Sequence, residues 1–290
     1  MRNVTLAFLC AFAQYAFTQP IPNSLLWRIT RNGSPDTSFI YGTLHSRDAR
    51  AFTLQDSTLF FFDRCDVIAG ELELEETERM SPSLANAMFL PNGRSLDALY
   101  SKREYKLVAA ALKEKLGPLA PLCTKLRPFY IIAMLTEMEM NGDSATVLDA
   151  WLQQRAVQQG KKVIGLETVA EQLGAVERIP LTDQARLLLN VLRETDGRSS
   201  ITAALDAYAA HDLNALMVLL ERDGLPEHAD KALLTERNVR MAERLNAQMS
   251  AGQRVFAAVG AAHLPGSEGI LQLLRNSGYS VAPAGLPAAH

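Results

Sequence analysis

The segment Arg254–Gly266, RVFAAVGAAHLPG, carries a pattern that occurs once more near the other end of the chain. Val255 to Val259 is an apolar run of strand length, too short for an ordinary helix. Gly260 follows, then two residues and His263, and Pro265-Gly266 keep the chain from continuing as strand. Glycine lacks the Cβ that forbids positive φ, so a sharp backbone turn is expected at Gly260. The same order stands at Phe39-Ile40-Tyr41-Gly42-Thr43-Leu44-His45. The chain has five histidines. Two of them sit three residues after a glycine that closes an apolar strand, and these two imidazoles are expected to meet.

The rest of the chain supplies a frame in which they can. Leu25–Thr30 and Ser38–Tyr41 have strand character and flank the turn cluster Arg31–Asp36, which reads as a hairpin. Asp66–Gly70 is a third strand, followed by the acid-rich run Glu71, Glu73, Glu75, Glu76 and Glu78. Lys161–Glu167 is a fourth, entered from a basic turn and ending in a carboxylate, and Tyr279–Val281 is a short last strand. Helical patterns fill the intervals: Gln55–Arg64, most of Ser81–Gln159, Thr182–Asp196, Ile201–Leu220 with a break at His211-Asp212, Glu227–Met249 and Gly269–Asn276. Ser95 is placed to cap the helix that runs to Leu116. Strands separated by helices predict an α/β fold: a mixed, largely parallel sheet flanked by helices, with a mainly helical insertion at about 81–159 inside one domain of residues 19–290.

Arg2 and the apolar Val4–Phe12 form a secretory signal over residues 1–18, cleaved after Ala13 or, at a more ordinary length, after Thr18. The apolar run falls short of the roughly 20 residues a membrane span requires. A periplasmic or secreted chain with no stable membrane span after cleavage is therefore expected. Two cysteines remain, Cys65 and Cys123; an even pair in an oxidising compartment suits a disulfide, and two buried thiols suit the same count. A net charge of −3 without a basic stripe argues against a nucleic-acid partner.

In open α/β sheets ligands bind beyond the carboxyl ends of the strands. Those ends here are His45, Glu71 with Glu73, Glu167 and His263. If the strands are parallel neighbours, two imidazoles and one or two carboxylates share an edge. That set suits Zn²⁺, Mn²⁺, Fe²⁺ or Co²⁺ with positions left for water. A carboxylate outside the ligand set then serves as general base. Plainer readings stand beside these. Glu-Leu-Glu-Leu-Glu also suits a half-exposed strand with a solvated acidic face. Glu167 also suits the start of a helix near Thr168, where the helix dipole favours a carboxylate. His211, His228 and His290 lie in polar contexts outside this pattern. No Gly-x-Ser-x-Gly elbow, P-loop or dinucleotide fingerprint is present.

Several pieces, in order over nearly the whole chain after the signal, carry a family resemblance: Leu26-Trp27, Tyr41–His45, the Asp66–Glu73 segment, Asp149, Gly160–Thr168 with Gln172, Glu236-Arg237-Asn238, Val259–Gly266 and Gly278-Tyr279. The chain resembles the TraB/PrgY/GumN family, related to the Tiki proteins and to the erythromycin-esterase/ChaN-like superfamily. The resemblance implies an α/β fold with both Gly-x-x-His motifs at one site. Tiki proteins look like divalent-metal-dependent proteases, whereas ChaN-like proteins bind haem-type ligands. Carried over by position, His45 and His263 match the motif histidines, Glu71 the acidic position after the second core strand, and Arg237 the family arginine. Arg237 is then a cation that orients a substrate carboxylate or stabilises an oxyanion; a surface ion pair is its plainer role. The expected function is a metal-dependent hydrolase acting on peptide or amide bonds, with His45, His263, Glu71 and Glu167 as candidate ligands and Glu71, Glu73 and Arg237 as candidate catalytic groups. The alternatives are a non-catalytic binder of haem or peptide and an accessory protein of an envelope or polysaccharide pathway.

Overall fold

The computed structural model describes residues 21–285, apart from 32, 55, 141, 143, 194–196 and 224. The signal segment and His290 lie outside the described residues. Leu26–Arg31 forms β1 and Thr37–Thr43 forms β2, an antiparallel hairpin with Trp27 opposite Ile40. Its turn passes through Gly33 at φ 81°, a conformation that suits glycine. Val67–Gly70 (β3), Lys162–Gly165 (β4), Val255–Gly260 (β5) and Tyr279–Pro283 (β6) complete a sheet ordered β4-β3-β5-β2-β1-β6. The run β4, β3, β5, β2 is parallel throughout, while β1 is antiparallel to both β2 and β6. The mixed, largely parallel sheet with helices around it is the α/β architecture expected from the alternation of elements.

The chemistry of each strand matches its place. Val255 to Val259 are all buried, as a central parallel strand covered on both faces requires. β4, at one edge, is only partly buried. Trp27, Tyr41, Phe62, Phe256, Tyr208 and Met241 belong to the core on the sheet. A second apolar cluster, including Leu96, Val108, Leu112, Ile131 and Leu188, lies among helices. From Pro82 to Gln158 the named elements between β3 and β4 are all helical.

Two local features differ from the sequence reading, and a third decides between two readings that it left open. Ser95 precedes only the short turn Leu96–Leu99; the long helix starts at Lys102 and ends at Leu116. Ser101 and Glu104 cap it reciprocally, satisfying two amides that a helix start leaves unpaired. Glu227–Met249 is not one regular helix: a π turn, Lys231–Thr235, separates Glu227–Asp230 from Glu236–Ser250. Cys65 and Cys123 are free thiols rather than a disulfide, because each is buried in a different apolar cluster. The break at His211-Asp212 is present: His211 has φ 58°, and the Asp212 carboxylate accepts from the Ala215 amide at the start of the next helix. Among the described residues no helix is long and apolar enough to cross a membrane.

Candidate active site

The four parallel strands deliver their carboxyl ends to one edge of the sheet. Thr43 stands opposite Gly260, and Gly70 lies between Ala258 and Gly165. Pairing continues past the strands, since the Glu167 amide donates to the Glu71 carbonyl at 2.7 Å. Glu71 and Glu167 therefore leave adjacent strands side by side, with Gly260 on the other flank of Glu71. The Gly260 amide donates to Glu71 Oε1 at 2.7 Å.

The two motif glycines meet a demand for space, not for positive φ. Gly260 has φ −53°, so the left-handed turn expected there does not occur. A Cβ on Gly260 would stand 3.0 Å from Glu71 Oε1, and one on Gly42 would stand 2.9 Å from Leu264 Cδ1 and 3.2 Å from the Ala261 backbone. One Gly-x-x-His segment thus packs directly against the other. Gly42→Ala is expected to overpack this contact and lower stability by about 1–3 kcal/mol, read as a shift in urea midpoint. An unchanged midpoint would show that the contact yields freely.

A row of ion pairs braces the acids. Arg237, Arg240 and Arg244 recur at three- and four-residue spacing along the Glu236–Ser250 helix and so share a face. Arg237 reaches both Glu71 Oε2 at 2.5 Å and Glu167 Oε2 at 2.7 Å. Arg240 reaches Glu167 Oε1 at 3.3 Å. Arg244 grips Glu171 with two hydrogen bonds of 2.7 Å. Glu171 also completes the capping box of Thr168 at the start of Val169–Arg178. The helix cap is therefore Thr168, and Glu167, wholly buried, serves the arginines. Gln172 donates to Glu71 Oε2 at 3.3 Å and to Glu167 Oε2 at 3.4 Å.

Burial on its own would raise the Glu71 carboxyl. The charges of His263 and Arg237, with the Gly260 amide, outweigh it and hold the group at about 2. The Arg244 hydrogen bonds hold Glu171, against partial burial, at about 2 as well. Both groups ordinarily titrate at 4.5. A carboxyl depressed on folding contributes stability that is fully present above its unfolded pKa and is lost as pH falls through the folded one. Urea midpoints are thus expected to fall between about pH 4.5 and 2 on account of these two carboxyls, after an earlier fall that begins near pH 6.5, because burial holds His263 at about 4 in the folded chain against an ordinary 6.5. A midpoint insensitive to acid over that window would contradict the assignment.

His263 is buried, and its tautomer follows from its neighbours. Asn238 donates through Nδ2 to the Glu268 carbonyl at 2.9 Å, which turns its oxygen towards His263 Nδ1 at 2.6 Å. That oxygen only accepts, so Nδ1 carries the proton and Nε2 keeps an unshared pair. Nε2 faces Glu71 Oε1 at 3.7 Å. Burial, aided by Arg237 and opposed by Glu71, pushes the imidazole down to about 4. The ring is therefore neutral at pH 7, where Arg237 and the Gly260 amide keep Glu71 ionised. His45, by contrast, is exposed, with Nδ1 3.9 Å from Asp149 Oδ2. Thr43 donates to Asp149 Oδ1 at 2.5 Å, and Oδ2 is buried with no hydrogen-bond partner. Burial raises the Asp149 carboxyl and the Glu71 charge adds to this, while Thr43 and His45 oppose it.

His45 and His263 line the same cavity, of about 450 Å³. His45 also lines a second one of about 400 Å³, together with Glu71, Asp149 and Gln172. Glu71, Glu167, Arg237 and His263 form one connected group. Glu73 stands apart: it precedes the short helix Leu74–Glu78, makes no capping hydrogen bond, and among the described residues forms no ion pair with the three arginines. Asp149, Asn238, Gln153 and Gln172 were not among the expected site residues. Gln153 accepts from the Leu74 amide and donates to the Leu72 carbonyl, both at 2.9 Å, which fixes the loop that follows Glu71. Asp149, Asn238 and Gln172 fall within the pieces that carry the family resemblance, but no strand ending marks them, because each projects from a helix.

Comparison with known proteins supplies the family. The TraB/PrgY/gumN family model matches residues 25–283. Metalloprotease TIKI2 of Danio rerio is 26% identical over 89% of this chain and 60% of its own length. Metalloprotease TIKI2 of Xenopus tropicalis is 27% identical over 91% and 60%, and Metalloprotease TIKI1 of Homo sapiens 24% identical over 91% and 63%. The chain thus spans less than two thirds of the length of these relatives.

Proposed function

The chain belongs to the TraB/PrgY/gumN family, and we propose that it is a metal-dependent hydrolase of peptide or amide bonds whose reactive groups are His45, His263 and Glu71. The observation that carries this reading is the unshared pair of His263 Nε2 facing Glu71 Oε1 at 3.7 Å. Two acceptors so placed repel unless an electropositive centre lies between them. Donors each about 2.1 Å from a tetrahedral ion stand about 3.4 Å apart, so the spacing suits a shared cation. The orphaned Asp149 Oδ2 and His45 Nδ1, 3.9 Å apart, offer a second oxygen and nitrogen beside them. Their nitrogen and oxygen donors are those that Zn²⁺, Mn²⁺, Fe²⁺ and Co²⁺ take. Among the described residues no three His, Cys, Asp or Glu side chains stand together as a ready-made ligand group, so these two couples are the donors an ion would draw on. The relatives named metalloproteases support the same class of chemistry.

When bound, a divalent ion would acidify water and polarise a carbonyl. The protein's own groups divide the remaining work. Glu71, held near 2, is a poor proton acceptor at neutral pH and suits a fixed negative charge. Asn238 sets the His263 tautomer so that its free nitrogen faces the site, the outer-shell arrangement typical of ligand histidines. Arg237 holds Glu71 and Glu167 in place, and its charge is available to a developing oxyanion. Glu167, with both oxygens engaged by arginine, anchors Arg237. Asp149, whose carboxyl burial raises, is the group suited to hold or pass a proton beside His45. Export beyond the cytoplasm, periplasmic or secreted, is part of this proposal and rests on residues 1–18.

The deciding experiment is elemental analysis of the purified protein and of His45→Ala and His263→Ala, beside peptide hydrolysis before and after chelation. Bound divalent metal that is lost in both variants, with hydrolysis that chelation abolishes, is expected. Wild-type protein that retains no divalent metal after exposure to Zn²⁺, Mn²⁺, Co²⁺ or Fe²⁺ overturns the reading.

A further inference from the structure

The two cavities beside the histidines differ in chemistry. The one shared by His45, Glu71, Asp149 and Gln172 is acidic and polar along one wall. The other adjoins the same two strand ends: Thr43, His45 and Gly260 line both. Its far wall is aliphatic. Met140, just past the end of the Pro128–Glu139 helix, and Val191, Ile201, Ala204, Leu216 and Leu219 from three further helices line it together. These side chains are only partly buried. Leu216 also packs against the core on the sheet, and together the six line a space of about 450 Å³. That volume lies in the range that holds a small ligand or a side chain with its neighbours. A single ion pair, Lys115 with Glu139 at 2.9 Å, brings charge to this wall, and its opposite signs cancel.

We infer that this cavity is a specificity pocket, and that the substrate is a peptide carrying a bulky aliphatic or aromatic side chain next to the bond that is cut. The inference rests on the hydrolase reading for the position of that bond. The argument is continuity. A peptide whose carbonyl lies against His45, His263 and Gly260 has one neighbouring side chain within reach of the apolar wall, and the rest of the backbone on the acidic side. A side chain that leaves water for this wall gains transfer free energy, whereas a serine or aspartate there gives up hydration for no partner. An apolar wall with its charges already paired selects against acidic residues more strongly than it selects among aliphatic ones.

The test uses the full chain supplied with Zn²⁺ or Mn²⁺ and blocked alanine hexapeptides that carry one leucine, phenylalanine, serine or aspartate. Cleavage is expected beside leucine or phenylalanine, with kcat/KM about 10- to 100-fold above the serine peptide. Ala204→Trp, which fills the pocket, is expected to remove that preference, bringing kcat/KM for the leucine and phenylalanine peptides down to within about twofold of the serine peptide measured with the same variant. Leu216→Asp is expected to do the same by charge, and thermal melts of both variants check that they fold. Equilibrium binding of the same peptides to the metal-free chain separates this inference from the hydrolase reading. Selective binding of apolar peptides without any cleavage, lost in Ala204→Trp, supports the pocket and overturns the hydrolase. Cleavage with no preference, or a preference untouched by both substitutions, overturns the pocket and leaves the hydrolase standing. Neither binding nor cleavage overturns both.

Discussion

Arg237→Met is expected to destabilise the folded chain by about 3–5 kcal/mol at pH 7, because it strands buried charge. Among the described residues Arg237 is the one cation paired with both Glu71 and Glu167, and the Glu167 side chain has no exposed surface. Methionine keeps much of the volume and removes the charge. Glu167 then retains only Arg240 at 3.3 Å and a long contact to Gln172. Carboxylates left in such a place protonate or draw in water, and either response loosens the strand ends. The double variant Arg237→Met with Glu167→Gln isolates the cause. If the loss comes from the stranded carboxylate, the double variant recovers part of it and the two changes are not additive. Urea midpoints of the four proteins measure this. A loss below about 1 kcal/mol for Arg237→Met would mean that the group behaves as a surface pair.

The second large effect concerns activity. Within the proposed hydrolase, His263→Ala is expected to lower kcat/KM by at least about 10²–10⁴ and to strip the metal. Asn238→Ala is expected to cost about 10- to 100-fold in metal affinity. The ordering is informative, since Asn238 touches no substrate; it fixes which nitrogen of His263 bears the proton. Metal titration monitored by calorimetry gives a readout independent of turnover. Full metal affinity in Asn238→Ala would sink the tautomer argument even if His263→Ala is inactive.

The parallel strand ends were legible from the chain itself. A short apolar run, a glycine and a reactive residue is a local pattern, and it recurs at β2, β3, β4 and β5. What the local pattern hid was the reason for the glycines. Gly42 and Gly260 read as turn formers, but the demand on them is clearance from Ala261, Leu264 and Glu71, and long-range approach leaves no mark in the neighbouring sequence. Asp149, Gln153 and Asn238 were hidden for a related cause. A helix shows every fourth side chain to the same neighbour, so a polar residue turned inward is indistinguishable from one turned to water until the neighbour is known. The π turn at Lys231–Thr235 shifts the register of the helix just before Arg237, and no propensity scale signals that shift.

The order of the strands has a further consequence, for the assembly of the chain. β5 lies between β3 and β2, yet of these three it is synthesised last. Until it arrives, the β1–β2 hairpin and the β3–β4 pair have no strand between them and expose open edges. Contacts this distant in sequence close slowly. The event that seals the middle of the sheet is the same one that brings Gly260 and His263 to Glu71 and His45. A chain stopped short of β5 therefore contains most of its length and none of its completed site, and folding and acquisition of the site are a single step.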